Sequence, residues 1–151
     1  MNGATMISGP KQWPVLLLGT AQLGLPYGVV RKESPADDAE AAFAILRAAE
    51  EDGFSGVDTA MAYGNAPKRI GSFLERSANA ADSWIICTKL MKEQPSTPVS
   101  LRNSWDGHLR ELRSESVFAL LLHRADDVLD DDVRTFCRTM KNESRTKHLG
   151  A

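Results

Sequence analysis

The chain has 151 residues, enough for one domain with its own core. Apolar residues make up 42% and charged residues 25%, as in an ordinary globular protein, and a net charge of −2 gives no global pull toward nucleic acid or an anionic membrane. Cys87 and Cys137 lie fifty residues apart inside apolar segments, which argues against a disulfide framework and for buried thiols in a reducing compartment. The N-terminus lacks a basic leader. Its apolar run "VLLLGTAQLGL" is broken by Gly, Thr and Gln and is too short to cross a bilayer, so a cytoplasmic location with no membrane partner is expected.

In chain order, residues 1–13 read as a lead and 14–151 as one unit. "VLLLG" (15–19) is a short apolar run, as in a strand covered on both faces. A Gly-rich loop follows. Ser34-Pro35-Ala36-Asp37 is a helix start with Ser34 as N-cap. Ala39, Ala42, Phe43, Leu46 and Ala49 give that helix an apolar stripe, and Gly53 stops it. "FSGVD" is a second strand. Asn65 can cap a second helix carrying Ile70, Phe73 and Leu74 on one face. "SWIICTK" is a third strand. Thr97-Pro98 opens a third helix with Leu101, Trp105, Leu109 and Leu112 in its stripe, and His108 is expected to face solvent. "VFALLLH" is a fourth strand. Asp130, Asp131 and Asp132 suit the N-terminal turn of a fourth helix, where the dipole favours carboxylates; Val133, Phe136, Cys137 and Met140 form its stripe. "KHLGA" begins a fifth apolar run.

Alternating apolar strands and amphipathic helices predict a parallel sheet with helical cover and right-handed crossovers. The sheet can be open and doubly wound or part of a (β/α)8 barrel. In both, chemistry sits at the C-terminal strand ends. Here those ends carry Gly19-Thr20, then Asp58, Lys89 and His123. The last three are spaced 31 and 34 residues apart, about one βα unit each. Tyr63, five residues past Asp58, can reach back over the same rim.

An acid, a cation, a phenol and an imidazole can thus meet in one pocket. A phenol titrates near pH ~10 and donates protons poorly at neutrality. A neighbouring ammonium favours the phenolate and lowers that value. Lys89 can supply the ammonium, Asp58 can keep it charged, Tyr63 then becomes a usable general acid, and His123 can orient a substrate carbonyl. Taken singly, each residue has a plainer reading: Asp58 as a cap or turn residue, Tyr63 as packing, Lys89 as a solvated lysine, His123 as a strand-end histidine bonded to backbone. The combination favours the chemical reading.

The segments "LGTAQLGLPYG", "GVDTAMAYGNAPKRIG", "IICTKL" and "LLLHR" resemble the aldo-keto reductase superfamily, whose Asp-Thr-Ala-x-x-Tyr-Gly signature, lysine strand and histidine strand they match in order. The resemblance runs over residues 14–151. It implies a (β/α)8 TIM-type barrel, here the first four βα units and the start of strand five. It implies NADPH or NADH held without a Rossmann fold, in keeping with the lack of any G-x-G-x-x-G after a strand. Hydride would pass to an aldehyde or ketone, which in this bacterial-looking subgroup is sugar-related. Asp58, Tyr63, Lys89 and His123 would be the catalytic set, with Tyr63 protonating the oxygen. Gly19, Thr20 and Asp58 would lie near the nicotinamide end.

Pro67 stands where the family often has an acidic residue. The sequence ends within what resembles strand five, and the family's amide-stacking and phosphate-binding residues fall mostly in the second half. The expectation is therefore a truncated N-terminal half barrel, inactive alone, with open sheet edges and a bare inner face that drive self-association. The alternative function is a non-catalytic half barrel or a cofactor-binding regulatory subunit; an in-frame continuation in the downstream DNA would favour the enzyme. A calcium loop at Asp126–Asp132 lacks the required Gly and Glu. No His or Cys pair has zinc spacing, so no metal is expected. A Schiff-base role for Lys89 does not fit the surrounding residues.

Overall fold

The computed structural model describes residues 16–26, 38–77, 83–92 and 96–151. Five strands alternate with four helices among these residues: β1 (Leu18–Gly19), α1 (Ala39–Glu51), β2 (Gly56–Asp58), α2 (Ala66–Arg76), β3 (Ile85–Leu90), α3 (Pro98–Glu111), β4 (Val117–Leu122), α4 (Asp131–Asn142) and β5 (Thr146–Gly150). Short 3-10 turns, Ala21–Leu23 and Ala125–Leu129, follow β1 and β4. Every strand pairing is parallel and the spatial order is β1-β2-β3-β4-β5. A doubly wound sheet reverses its strand order at a switch point. This sheet never reverses, so of the two predicted architectures it takes the barrel type.

The helices form where the apolar stripes place them. In α3, Thr97 and Ser100 cap each other reciprocally, and Leu101, Trp105, Leu109 and Leu112 are buried. A cap of this kind contributes about 0.5–2 kcal/mol, whereas each large apolar side chain buried contributes about 1.5–3 kcal/mol. The stripe therefore holds α3 and the cap sets where it begins. Asp130 caps α4, accepting from the Asp132 amide at 2.9 Å and the Val133 amide at 3.2 Å. Gly53 ends α1 with φ +84°, as its position predicts.

Several expectations change. The predicted cap Ser34, with Pro35 to Asp37, lies outside the described residues; α1 is capped instead by Asp38, which accepts from the Glu40 amide at 2.8 Å. Ala39 is exposed and outside the stripe. β1 is only two residues long, and Leu16 is 61% exposed, so the first apolar run is not covered along its length. Asn65 holds the N-cap position of α2 in helical conformation with no side-chain cap hydrogen bond.

Two apolar clusters divide the molecule. The larger joins all four helices to one face of the sheet through residues such as Ile86, Leu90, Leu120 and Leu122. The smaller, Ile85, Cys87, Phe118 and Ala119, with Leu17 and Leu121 against it, contains no helical residue. Side chains alternate across a strand, so Ile85 and Cys87 face away from the helices. Ile85 and Cys87 are each 1% exposed. At these two positions the inner face is covered, not bare as expected.

His108 is the clearest correction. It is buried, not solvent-facing, and its Nε2 lies 2.8 Å from the Thr88 hydroxyl of β3. It follows Trp105 by three residues and precedes Leu112 by four, which puts it on the buried stripe. Burial pushes its imidazole down from 6.5 to about 4. The folded chain thus resists a proton that the unfolded chain accepts near 6.5. Between about 4 and 6.5 the unfolded state carries more protons, so stability is full above this window and falls as pH drops through it. The expected slope is about 1.4 kcal/mol per pH unit. Urea unfolding of the chain and of His108→Gln across this range will read it: the wild-type curve should steepen relative to the variant, and equal pH dependence would remove His108 as the cause.

Candidate active site

The sheet register aligns the rim. Gly19 of β1 pairs with Asp58 of β2, and Asp58 pairs with Cys87 of β3. Lys89, two residues beyond Cys87, points to the same face. Its Nζ donates to the Asp58 carboxylate, with 21% of the Lys89 side chain and 35% of the Asp58 side chain exposed. Nζ also lies 3.4 Å from the Thr59 carbonyl oxygen. Beyond β2 the chain stays laced to β3: the Thr59 amide donates to the Cys87 carbonyl at 2.9 Å and the Met61 amide to the Lys89 carbonyl at 3.1 Å. This carries Tyr63 over the rim. Lys89 Nζ stands over the Tyr63 ring, 5.4 Å from its centroid. His123, whose amide donates to the Leu90 carbonyl at 2.9 Å, follows β4 directly. Its ring meets Tyr63 edge-on, with centroids 6.4 Å apart.

Asp58, Lys89, Tyr63 and His123 therefore meet in one cluster, each in contact with the next. The arrangement holds a cation against a phenol ring, with a carboxylate behind it and an imidazole beside it. Cys87 forms the floor. Burial foremost, and then the Asp58 carboxylate, push its thiol up to about 11, while Lys89 opposes. The thiol is neutral at physiological pH and a poor nucleophile.

Gly19 borders this cluster at β1, and among the described residues a Cβ added there would meet nothing within 4 Å, which leaves room at the rim beside it. Thr20, expected near the nicotinamide end, also has a structural task. Its amide and hydroxyl both donate to the Asp58 carbonyl, at 3.0 and 2.9 Å, and its own carbonyl accepts from Leu23 at 2.9 Å. Buried and fully engaged, Thr20 clips β1 to β2 and fixes Asp58.

Sequence reasoning passed over Gly24 and gave Gly64 no role beyond its place in the Tyr-Gly signature. A Cβ on Gly24 would collide with the Tyr63 carbonyl oxygen and the Ala66 nitrogen, and one on Gly64 would collide with the Gly24 carbonyl oxygen. Gly64 also takes φ +52°, where a side chain is strained. Backbone thus packs on backbone beneath Tyr63. A glycine between two leucines in a loop carries no local sign of such a contact. Among the described residues no group of three or more metal-ligating side chains is found, and no helix is long and apolar enough to cross a membrane.

A parallel βα sheet in consecutive order, with a carboxylate, lysine, phenol and imidazole at its C-terminal rim, defines a barrel-type α/β architecture. The chain belongs to the aldo/keto reductase family, whose family model matches residues 15–151. Solved structures agree on the fold. A candidate aldo-keto reductase from Pseudomonas aeruginosa is 26% identical, with a TM-score of 0.69 over 87% of this chain and 52% of that one. The holo form of aldo-keto reductase AKR11C1 from Bacillus halodurans is 21% identical, with a TM-score of 0.67 over 89% and 44%. The glycerol dehydrogenase AKR11B4 from Gluconobacter oxydans is 22% identical, with a TM-score of 0.64 over 89% and 43%. The chain spans about half the length of these structures. No curated protein is similar enough to count as a match.

The packing under Tyr63 makes a test. Gly24→Ala forces the loop after β1 off the Tyr63–Ala66 backbone, at a cost of about 1–3 kcal/mol for overpacking. Chemical denaturation should show that loss. Unchanged stability would mean the two loops separate freely.

Proposed function

We propose that the chain provides the proton-transfer side of an NAD(P)H-dependent carbonyl reductase. The observation that carries this is the Lys89 ammonium, held by Asp58 and standing over the Tyr63 ring beside His123. The donor set suits the cofactor in part: Gly19 and Asp58 border open room at the rim, whereas the polar groups of Thr20 are all paired within the chain. Gly19 and Asp58 would therefore face the nicotinamide end, with Thr20 holding both in place.

When bound, the reduced nicotinamide supplies a hydride to the carbonyl carbon of an aldehyde or ketone. The chain's own residues handle the oxygen. His123 donates a hydrogen bond that fixes the direction of the C=O group. As negative charge builds on the oxygen, Tyr63 gives up its phenolic proton and the alcohol forms. The phenolate left behind is stabilised by the Lys89 ammonium, and Asp58 keeps Lys89 charged and aimed. A sugar-related carbonyl compound remains the proposed substrate class.

Tyr63→Phe removes the proton and leaves the ring. Positioned general acids contribute about 10²–10⁴-fold, so aldehyde reduction should fall by that order while NADPH affinity is held, because the hydroxyl acts mainly in the transition state. NADPH fluorescence titration and nicotinamide-absorbance turnover read the two quantities. Both are to be run on the chain alone and on the chain joined to the remaining half of the P. aeruginosa structure's barrel. Equal turnover of the Phe variant and wild type would rule out Tyr63 as the acid.

A further inference from the structure

We infer that Arg69 is a positioning residue for Tyr63, acting through the loop after β1; its catalytic consequence rests on the reading of Tyr63 as the acid. Arg69 lies on α2, and its guanidinium Nη1 donates to the carbonyl oxygen of Leu23. Leu23 is buried in the main core and ends the 3-10 turn Ala21–Leu23. The last carbonyls of a helical turn lack partners within it. Arg69 satisfies this one with a charge-assisted hydrogen bond, a stronger kind than neutral pairs make.

The next residue is Gly24, which lies directly against the Tyr63 carbonyl, the Asn65 and Ala66 nitrogens and Gly64. The Tyr63 carbonyl in turn accepts the Ala66 amide at 3.0 Å, at the start of the helix that bears Arg69. The path is closed: α2 reaches through Arg69 to Leu23, through Gly24 to Tyr63, and back into α2. Tyr63 is thereby held between a helix start and a loop that the same helix pulls inward. At the far end, Thr20 fastens that loop to Asp58. One loop thus sets both the phenol and the carboxylate behind Lys89. The route from Arg69 to Tyr63 runs through the backbone of Leu23 and Gly24.

The test compares the full chain with Arg69→Met, which removes the donor, and Arg69→Lys, which keeps a charged donor. Tyr63 ring carbons, labelled and assigned with Tyr63→Phe, report its placement. Hydrogen exchange reports local order at the Leu25 amide, bonded to the Ala21 carbonyl at 3.0 Å, and at the Ala66 amide. In Arg69→Met the Tyr63 signals should shift or broaden, and these two amides should exchange about tenfold faster or more, with β3 amides unchanged. Arg69→Lys should restore most of both readouts. If the Met variant does not fold, the Lys variant decides alone: native Tyr63 signals with a selective, smaller rise at Leu25 and Ala66 support the tether. Unmoved Tyr63 signals in a folded Met variant, or exchange rising uniformly through β3 in whichever variant folds, overturn it. So does loss of the fold in both variants, since Arg69 would then be a general stabiliser. None of these readouts needs turnover. A chain with no reductase activity that still shows the selective response would sink the functional reading and leave the tether standing.

Discussion

Asp58 is the node on which the rim depends. Its backbone carbonyl accepts two hydrogen bonds from Thr20, which hold the end of β1. Its carboxylate accepts the Lys89 ammonium from β3. One residue at the end of a three-residue strand therefore ties three strand ends together. Parallel strands need no such tie for their own pairing. What the tie adds is a fixed place for a cation, which stands over the Tyr63 ring with His123 against that ring.

Much of this was legible because strand ends and helix stripes obey short-range rules. An apolar run closed by a polar residue marks where a buried strand meets the surface, and three such ends at one-unit spacing fall on one rim by geometry. That reasoning reached Asp58, Lys89 and His123 from their positions alone, and Tyr63 from its distance past Asp58. The Thr97 cap and the Trp105 stripe were readable for the same reason: both are local patterns. The choice between an open sheet and a barrel was not local. It depends on the order in which strands pair, which no single segment encodes, and it was the resemblance of whole segments that pointed to the barrel.

The misreadings have physical causes. His108 sits on the buried arc of α3, yet its polarity suggested solvent. The missing information was Thr88, a hydroxyl on a neighbouring strand that makes burial tolerable by pairing with the ring. The clip that Thr20 makes between β1 and β2 was unreadable for a similar reason, because its partner, the Asp58 carbonyl, lies 38 residues away in sequence. Gly24 and Gly64 were silent because close backbone approach leaves no trace except the absence of a side chain. Ile85 and Cys87 were expected bare for want of opposite strands, yet they cluster with Phe118 and Ala119, with Leu17 and Leu121 packed against them.

Stability and chemistry are carried by opposite faces of the sheet. The helical face buries two tryptophans and most of the large aliphatic side chains, each contributing about 1.5–3 kcal/mol. The rim pair, by contrast, is partly open to solvent on both partners, and pairs of that kind contribute about 0–1 kcal/mol. The Lys89 ion pair therefore adds little to folding, whereas Tyr63 also packs against the helical core. Asp58 differs, because its carbonyl serves the backbone whatever its side chain does. Lys89, Tyr63 and His123 nonetheless converge from consecutive strand ends onto one cluster, and the proton transfer proposed above draws on that convergence. The neutral Cys87 thiol is compatible with that proposal, since it adds neither a competing nucleophile nor another charge beside Asp58 and Lys89.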